Sequence, residues 1–243
     1  MDKIREKILN QDLRLPEPRR FVGREFDRPM PVNRPKISAK KLLSVLEKKF
    51  PGPKNFLRWN NPFELLAATI LSAQCTDVRV NQVAPILFKR FPTPRALAKA
   101  TQEEVEQIVH STGFYRNKAK NLRGMAKKLL ASHGGEVPDS MDALVALPGV
   151  ARKTANCVLG SAFGRNEGVV VDTHVGRLAR RMGFSKAKNP VQVERDLMAA
   201  FPQESWTRLS HLLIDFGRDT CRSRKPRCEI CIFSKICPKH LDP

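Results

Sequence analysis

The sequence predicts an all-α protein. Its apolar residues recur at the three- and four-residue spacing of one helix face, in stretches that prolines and glycines interrupt. Val169–Val171 is the one run typical of a strand, and it is too short to build a sheet. Hydrophobic residues make up 41% of a 243-residue chain, which is enough for one large core or two small ones.

The apolar periodicity divides the chain into about ten helices. The apolar residues of the first five lie at 37–50, 63–71, 83–91, 105–109 and 122–130, and the fourth helix is expected to end at Gly113 and the fifth near Gly134-Gly135. The later ones are predicted at 140–146, 152–163, 173–182, 190–200 and 204–216. Pro51-Gly52-Pro53 ends the first helix, and Pro92 ends the third. Pro85 lies inside the third segment, where it is expected to kink or break the helix.

The formal net charge of +20 indicates a polyanionic partner, for which nucleic acid is the usual candidate. A soluble basic protein, a ribosomal protein and a membrane-surface protein are the alternatives. Residues 1–36 are rich in Arg and Pro without apolar periodicity, so we predict a flexible basic arm. This arm either follows the phosphate backbone or is a solvated tail.

No apolar run reaches the roughly 20 residues needed to span a bilayer. The first residues mix acids with bases and lack the apolar segment of a secretory signal. We therefore expect the protein inside the cell, in the cytoplasm or nucleoid, where cysteines stay reduced. We also expect a monomer, since no apolar stripe is left over for self-association.

Residues 147–154 read L-P-G-V-A-R-K-T between two predicted helices. Pro148-Gly149 requires a tight turn, in which Gly149 is expected to take a positive φ. The turn frees backbone N–H groups at the start of the second helix, where the helix dipole also favours a phosphate oxygen. The stretch is typical of a helix–hairpin–helix that binds DNA backbone, and the alternative is a plain interhelical turn. Its candidate DNA contacts are Gly149, Val150, Ala151, Arg152 and Thr154.

Lys153 lies in the first turn of the helix that follows. The positive helix terminus and the charge of Arg152 both disfavour an ammonium there. Part of the Lys153 population is then free amine, which nucleophilic attack requires. The alternative is a lysine that only binds phosphate.

Val169–Val171 is expected to be buried and to place Asp172 at the start of the next helix. Asp172 is then either a plain helix N-cap or the partner of Lys153. A carboxylate beside a DNA-binding cleft repels phosphate, which favours a use for it: assisting deprotonation of Lys153 or stabilising a cationic sugar. His174 is either an aid to positioning the DNA backbone or a packed histidine.

Four cysteines near the C-terminus follow the spacing C-x6-C-x2-C-x5-C, at Cys221, Cys228, Cys231 and Cys237. Four close thiolates need a metal centre to offset their charge, and both zinc and a [4Fe–4S] cluster accept four cysteines. Zinc sites usually contain two C-x2-C pairs, and this segment has one, which favours the cluster. Cys75 and Cys157 are interpreted as small core residues.

These segments together resemble the endonuclease III family of DNA glycosylases. The similarity runs from about residue 38 to 237 and includes L-S-A-Q-C-T-D at 71–77, T-G-F-Y-R-N-K-A at 112–119, L-P-G-V-A-R-K-T-A-N at 147–156, V-D-T-H at 171–174 and the four cysteines. Two positions depart from the family pattern. Phe114 stands where a smaller aliphatic residue is usual, and Ala151 stands where glycine is usual, so the backbone of Ala151 must keep a negative φ.

The resemblance implies a glycosylase with AP lyase activity that acts on oxidised pyrimidines in double-stranded DNA. Lys153 would attack the anomeric carbon and form a Schiff base, and β-elimination would nick the strand. Asp172 would activate the lysine. Gln74 and the loop around Phe114 would fill the gap left by the flipped base.

The resemblance also implies two helical domains with a central cleft. A six-helix domain at 55–165 would carry the hairpin and Lys153. Residues 37–54 and 166–243 would form the second domain, which carries Asp172 and the [4Fe–4S] loop.

Three rival interpretations remain open at the level of sequence. An adenine-mismatch glycosylase of the same superfamily typically lacks the hairpin lysine and has an additional C-terminal domain, whereas this chain ends soon after Cys237. A non-catalytic DNA-binding protein could use the cluster for redox sensing, although Lys153 and Asp172 together argue against it. A zinc-bound structural protein is the third.

Overall fold

The structure, a computed structural model, describes residues 37–53 and 55–239, and the predicted arm at 1–36 lies outside them. Eleven α-helices occupy these residues, and no strand occurs in them. The helices are α1 Ala39–Lys49, α2 Pro62–Leu71, α3 Asp77–Arg90, α4 Pro94–Lys99, α5 Gln102–Val109, α6 Tyr115–His133, α7 Met141–Val145, α8 Arg152–Phe163, α9 Thr173–Arg181, α10 Pro190–Ala200 and α11 Trp206–Asp219. The all-α prediction is confirmed, and α4 is a helix that the periodicity did not reveal.

Local capping signals explain where many of these helices begin. Side chains of Ser38, Asn61, Thr76 and Thr93 accept hydrogen bonds from first-turn amides of α1 to α4. Thr101 forms a capping box at the start of α5. Proline occupies the first position of α2, α4 and α10, where a missing N–H costs nothing.

Helix α3 continues through Pro85, so the expected break at that residue is wrong. The proline ring removes one backbone hydrogen bond from the helix interior. Pro85 is exposed, whereas Val83, Ala84 and Leu87 are buried against the core. The loss therefore falls on the side of the helix that water reaches, and packing of the other side holds the helix together.

The hydrophobic residues form two clusters. The first cluster runs from Leu57 to Leu159 and draws on α2 to α8. The second combines Ile37–Leu46 with residues between Val169 and Phe233. Val169 and Val171 are buried in it, as predicted, but the segment is extended chain without strand pairing. No helix in the described part of the chain is both long and apolar enough to cross a membrane.

Candidate active site

A tight turn joins α7 to α8. Gly149 has a φ of +77°, which confirms the expected positive φ. A Cβ atom at this residue would also lie 2.8 Å from Cβ of Asn121, so the close approach of α6 adds a second reason for glycine. The Val150 amide donates to the Leu147 carbonyl at 3.1 Å and closes the turn.

The start of α8 has no side-chain cap. Ala151 is the N-cap residue with a φ of −95°, the negative value that alanine requires there. Since a methyl group cannot accept a hydrogen bond, the first-turn amides remain available to an external anion. The geometry is that of a helix–hairpin–helix.

Arg152 is held by protein groups. Its guanidinium makes an ion pair with Glu194 of α10 at 3.1 Å and donates to the Glu167 carbonyl at 3.3 Å. Glu194 is buried and also accepts from Asn156 at 2.8 Å. The charge of Arg152 is therefore offset by a carboxylate, which weakens the sequence-based argument that it disfavours an ammonium on Lys153.

Lys153 and Asp172 border the same cavity, of about 300 Å³. Lys153 is exposed, and its amine makes no hydrogen bond or ion pair to any residue that the structure describes. The cavity lies at the lower end of the roughly 300–1,000 Å³ typical of small-molecule sites. An unpaired amine at the uncapped end of α8 and a carboxylate thus border one cavity.

Asp172 is the N-cap of α9, as the simpler prediction had it. One carboxylate oxygen accepts from the Val175 amide at 2.8 Å, and the other lies 3.0 Å from Nδ1 of His174. Burial by itself raises the pKa of Asp172. Hydrogen bonds from His174 and Val175, with the charges of His174 and Lys153, outweigh burial and hold the pKa below its usual value. The carboxylate is therefore ionised at neutral pH, and Asp172 borders the Lys153 cavity while it caps α9.

The His174 ring contacts the Asp172 carboxylate, and its expected role in positioning the DNA backbone stays a prediction. Close packing fixes the ring, since a Cβ atom at Gly217 would lie 3.2 Å from its Cδ2.

Gln74 and Phe114 share an uncommon backbone conformation. Their φ values are +52° and +49°, in the left-handed region that non-glycine residues seldom adopt. Gln74 is exposed and borders the Lys153 cavity, and the Phe114 side chain is 63% exposed. The buried Lys118 holds the Phe114 loop by donating to the Thr112 carbonyl at 2.7 Å. Strained, exposed residues of this kind concentrate at functional sites.

The four C-terminal cysteines line one pocket, with Met182, Phe216 and Phe233 among its apolar walls. Arg181 approaches the sulfur of Cys221 at 3.7 Å, and the Phe233 amide approaches that of Cys231 at 3.4 Å. Burial raises the pKa of the Cys231 and Cys237 thiols, and the other cysteine sulfurs raise it further. Within residues 37–53 and 55–239, no group of three or more His, Cys, Asp or Glu is arranged to hold a single metal ion.

The cavity also contains residues that sequence reasoning missed. Asn55, His211 and Arg218 all border it. Cys157, interpreted as a core residue, lies in its wall and receives hydrogen bonds from Asn55 at 3.3 Å and Thr69 at 3.9 Å. No local pattern marks these residues, because they come from separate parts of the chain.

Comparison with known proteins agrees with this geometry. Residues 67–203 match the family model described as HhH-GPD superfamily base excision DNA repair protein. Endonuclease III of Synechocystis sp. is 51% identical over 84% of this chain and 93% of its own length. Endonuclease III of Bacillus subtilis is 45% identical over 77% of this chain and 86% of its own.

A solved structure of a trapped endonuclease III–DNA covalent intermediate superposes with a TM-score of 0.78. It is 42% identical, and the match covers 82% of this chain and 94% of that one. The fold and the hairpin therefore define a base excision DNA repair protein of the HhH-GPD superfamily. Within that superfamily, the chain belongs to the endonuclease III family, the DNA glycosylases with AP lyase activity.

Proposed function

We propose that this enzyme removes oxidised pyrimidines from double-stranded DNA through a Schiff base on Lys153. One observation carries the proposal: the Lys153 amine, which has no protein partner within the described residues, and the Asp172 carboxylate border the same cavity. Uncapped amides of α8 beside that cavity provide a site for the phosphate next to the damaged nucleotide.

The proposed reaction uses groups of this chain, the DNA and water, which hydrolyses the final Schiff base and frees Lys153. The free amine of Lys153 attacks the anomeric carbon, and the glycosidic electron pair leaves with the base, which takes up a proton. The sugar ring then opens to an iminium as its ring oxygen takes a proton from solvent. The adjacent carbon gives up a proton to solvent, and the 3′ phosphate leaves by β-elimination. Asp172, ionised at neutral pH, stabilises the positive charge that develops on the sugar.

The DNA contacts are part of the same proposal. The net charge of +20 suits a polyanion, and endonuclease III–DNA complexes are among the solved structures that the chain resembles. Gln74 and Phe114 occupy the space of the extruded base, with the larger Phe114 ring stacking on its neighbours. The hairpin contacts the DNA backbone through Gly149, Val150, Ala151 and Thr154. We propose that the protein acts as a monomer inside the cell.

We further propose two domains, one at 55–165 and one at 37–54 plus 166–243, of which residues 54 and 240–243 lie outside the described part of the chain. The two hydrophobic clusters support this division, because their boundaries fall near the same residues. Lys153 would then belong to one domain and Asp172 to the other, with the cavity at their junction.

We propose that Cys221, Cys228, Cys231 and Cys237 bind a [4Fe–4S] cluster. The four sulfur donors border one largely apolar pocket, and Cys221, Cys231 and Cys237 pack against the second hydrophobic cluster, so the residues fit the group. When bound, the cluster holds the cysteine loop in place.

The cluster proposal predicts about four iron atoms per chain and yellow-brown protein absorbing near roughly 400 nm. Cys231→Ala is expected to lose the iron and the absorbance and to unfold at a lower temperature. Cys75→Ala is the matched control, since Cys75 lies outside the pocket. Metal analysis measures the outcome, and one zinc per colourless chain would contradict the cluster.

Borohydride trapping tests the proposed function. The wild-type protein, incubated with a duplex that carries one thymine glycol, is expected to form a covalent adduct, because borohydride reduces the Schiff base. Denaturing electrophoresis detects the adduct. Base release without an adduct would instead indicate a water-dependent glycosylase, and neither product on a panel of lesions would indicate a DNA-binding protein without this activity.

A further inference from the structure

His211 lies on α11, one turn beyond the point where that helix approaches Gly160 of α8. A Cβ atom at Gly160 would lie 2.2 Å from Oγ1 of Thr207, so glycine is what allows the two helices to approach. His211 follows Thr207 by four residues and therefore lies on the same face of α11. On α8, Cys157 and Lys153 lie on the face of Gly160. The contact thus places His211 at the wall of the cavity that holds Lys153 and Asp172.

The His211 ring has no partner among the residues that the structure describes: it makes no hydrogen bond, ion pair or ring contact there. His174, by contrast, is bound to Asp172 at 3.0 Å. Burial lowers the pKa of His211, and no neighbouring charge contributes. The ring is therefore neutral at physiological pH and offers one N–H donor and one nitrogen acceptor.

A polar ring at a cavity wall with no protein partner is free to hydrogen-bond to water or to a ligand that displaces it. The edge of a pyrimidine presents carbonyl oxygens and a ring N–H, which match the donor and acceptor of a neutral imidazole. We infer that His211 determines specificity by hydrogen bonding to the extruded pyrimidine in the Lys153 cavity. This inference rests on the proposed glycosylase function and adds the residue that recognises the base.

A comparison of two DNA substrates separates base recognition from the chemistry of Lys153. An abasic site reacts with the lysine but has no base to recognise, whereas thymine glycol requires both. His211→Leu is expected to lower single-turnover release of thymine glycol about tenfold, the effect of one lost hydrogen bond. Nicking of a preformed abasic site should stay within about twofold of wild type. His211→Gln restores a donor and an acceptor and is expected to recover part of the lost rate.

His133→Leu at the end of α6 is the matched control, and thermal unfolding of each variant checks the fold. Equal losses on both substrates would overturn the inference, because His211 would then act on the chemistry or the fold. Unchanged release of thymine glycol would overturn it as well. If the wild-type protein itself fails to nick abasic DNA, the proposed function falls, and this result is distinguishable from failure of the His211 assignment alone.

Discussion

Lys153→Gln is expected to abolish the borohydride adduct and to slow base release and strand nicking by about 10⁴-fold or more, the scale seen when a nucleophile is removed. The amide of glutamine cannot form a Schiff base. The side chain is exposed and makes no hydrogen bond or ion pair within the described residues, so the variant should fold like wild type. Trapping and single-turnover kinetics on thymine glycol and abasic duplexes measure the effect.

DNA binding separates loss of chemistry from loss of contact. The Lys153→Gln variant keeps the backbone amides of α8. Its affinity for abasic DNA should therefore fall only by the effect of losing one positive charge that neutralises a phosphate. Lys128→Gln, at an exposed residue of α6, removes the same charge outside the cavity and is the control. An adduct that persists in Lys153→Gln would show that another amine is the nucleophile.

Asp172→Asn is expected to lower base release and nicking about 100-fold or more while leaving stability within about 1 kcal/mol of wild type. Asparagine caps helices as well as aspartate does, so the hydrogen bond to the Val175 amide is kept. What the substitution removes is the negative charge in the Lys153 cavity. Thermal unfolding and single-turnover kinetics, measured together, therefore distinguish the cap from the catalytic carboxylate.

Asp172→Ala supplies the comparison, because it removes both the charge and the cap. It should match Asp172→Asn in activity and lose a further ~1 kcal/mol of stability at α9. If Asp172→Asn retained wild-type rates, Asp172 would be an N-cap and nothing more.

Much of the fold is predictable because it depends on local pattern. The start of α8 at Arg152 and its end at Phe163 agree with the sequence interpretation, since a glycine turn precedes the helix and Gly164 ends it. The break expected at Pro85 is wrong because packing of Val83 and Leu87 outweighs one missing hydrogen bond. Helix α4 was missed, although Thr93 and Pro94 carry an N-cap signal that periodicity alone does not use.

The candidate site is predictable where a short motif contains it. Gly149 and Ala151 adopt the φ values expected of the hairpin, and the cysteine spacing identifies four sulfurs that do line one pocket. Arg152 is different. Its pairing with Glu194 depends on how α10 packs against α8, and no sequence motif encodes that contact.

The sequence by itself determined the helical class, the hairpin that frees backbone amides, and the residue types available for chemistry, because these depend on neighbours a few positions apart. Only the tertiary structure decided which side chains share the Lys153 cavity. His211 reaches it from α11, which packs closely on Gly160, and Asn55 reaches it from the segment before α2, where it donates to Cys157 and Ser161 of α8. Contacts of this kind arise when segments distant in sequence bury apolar surface together, so a local sequence pattern does not predict them.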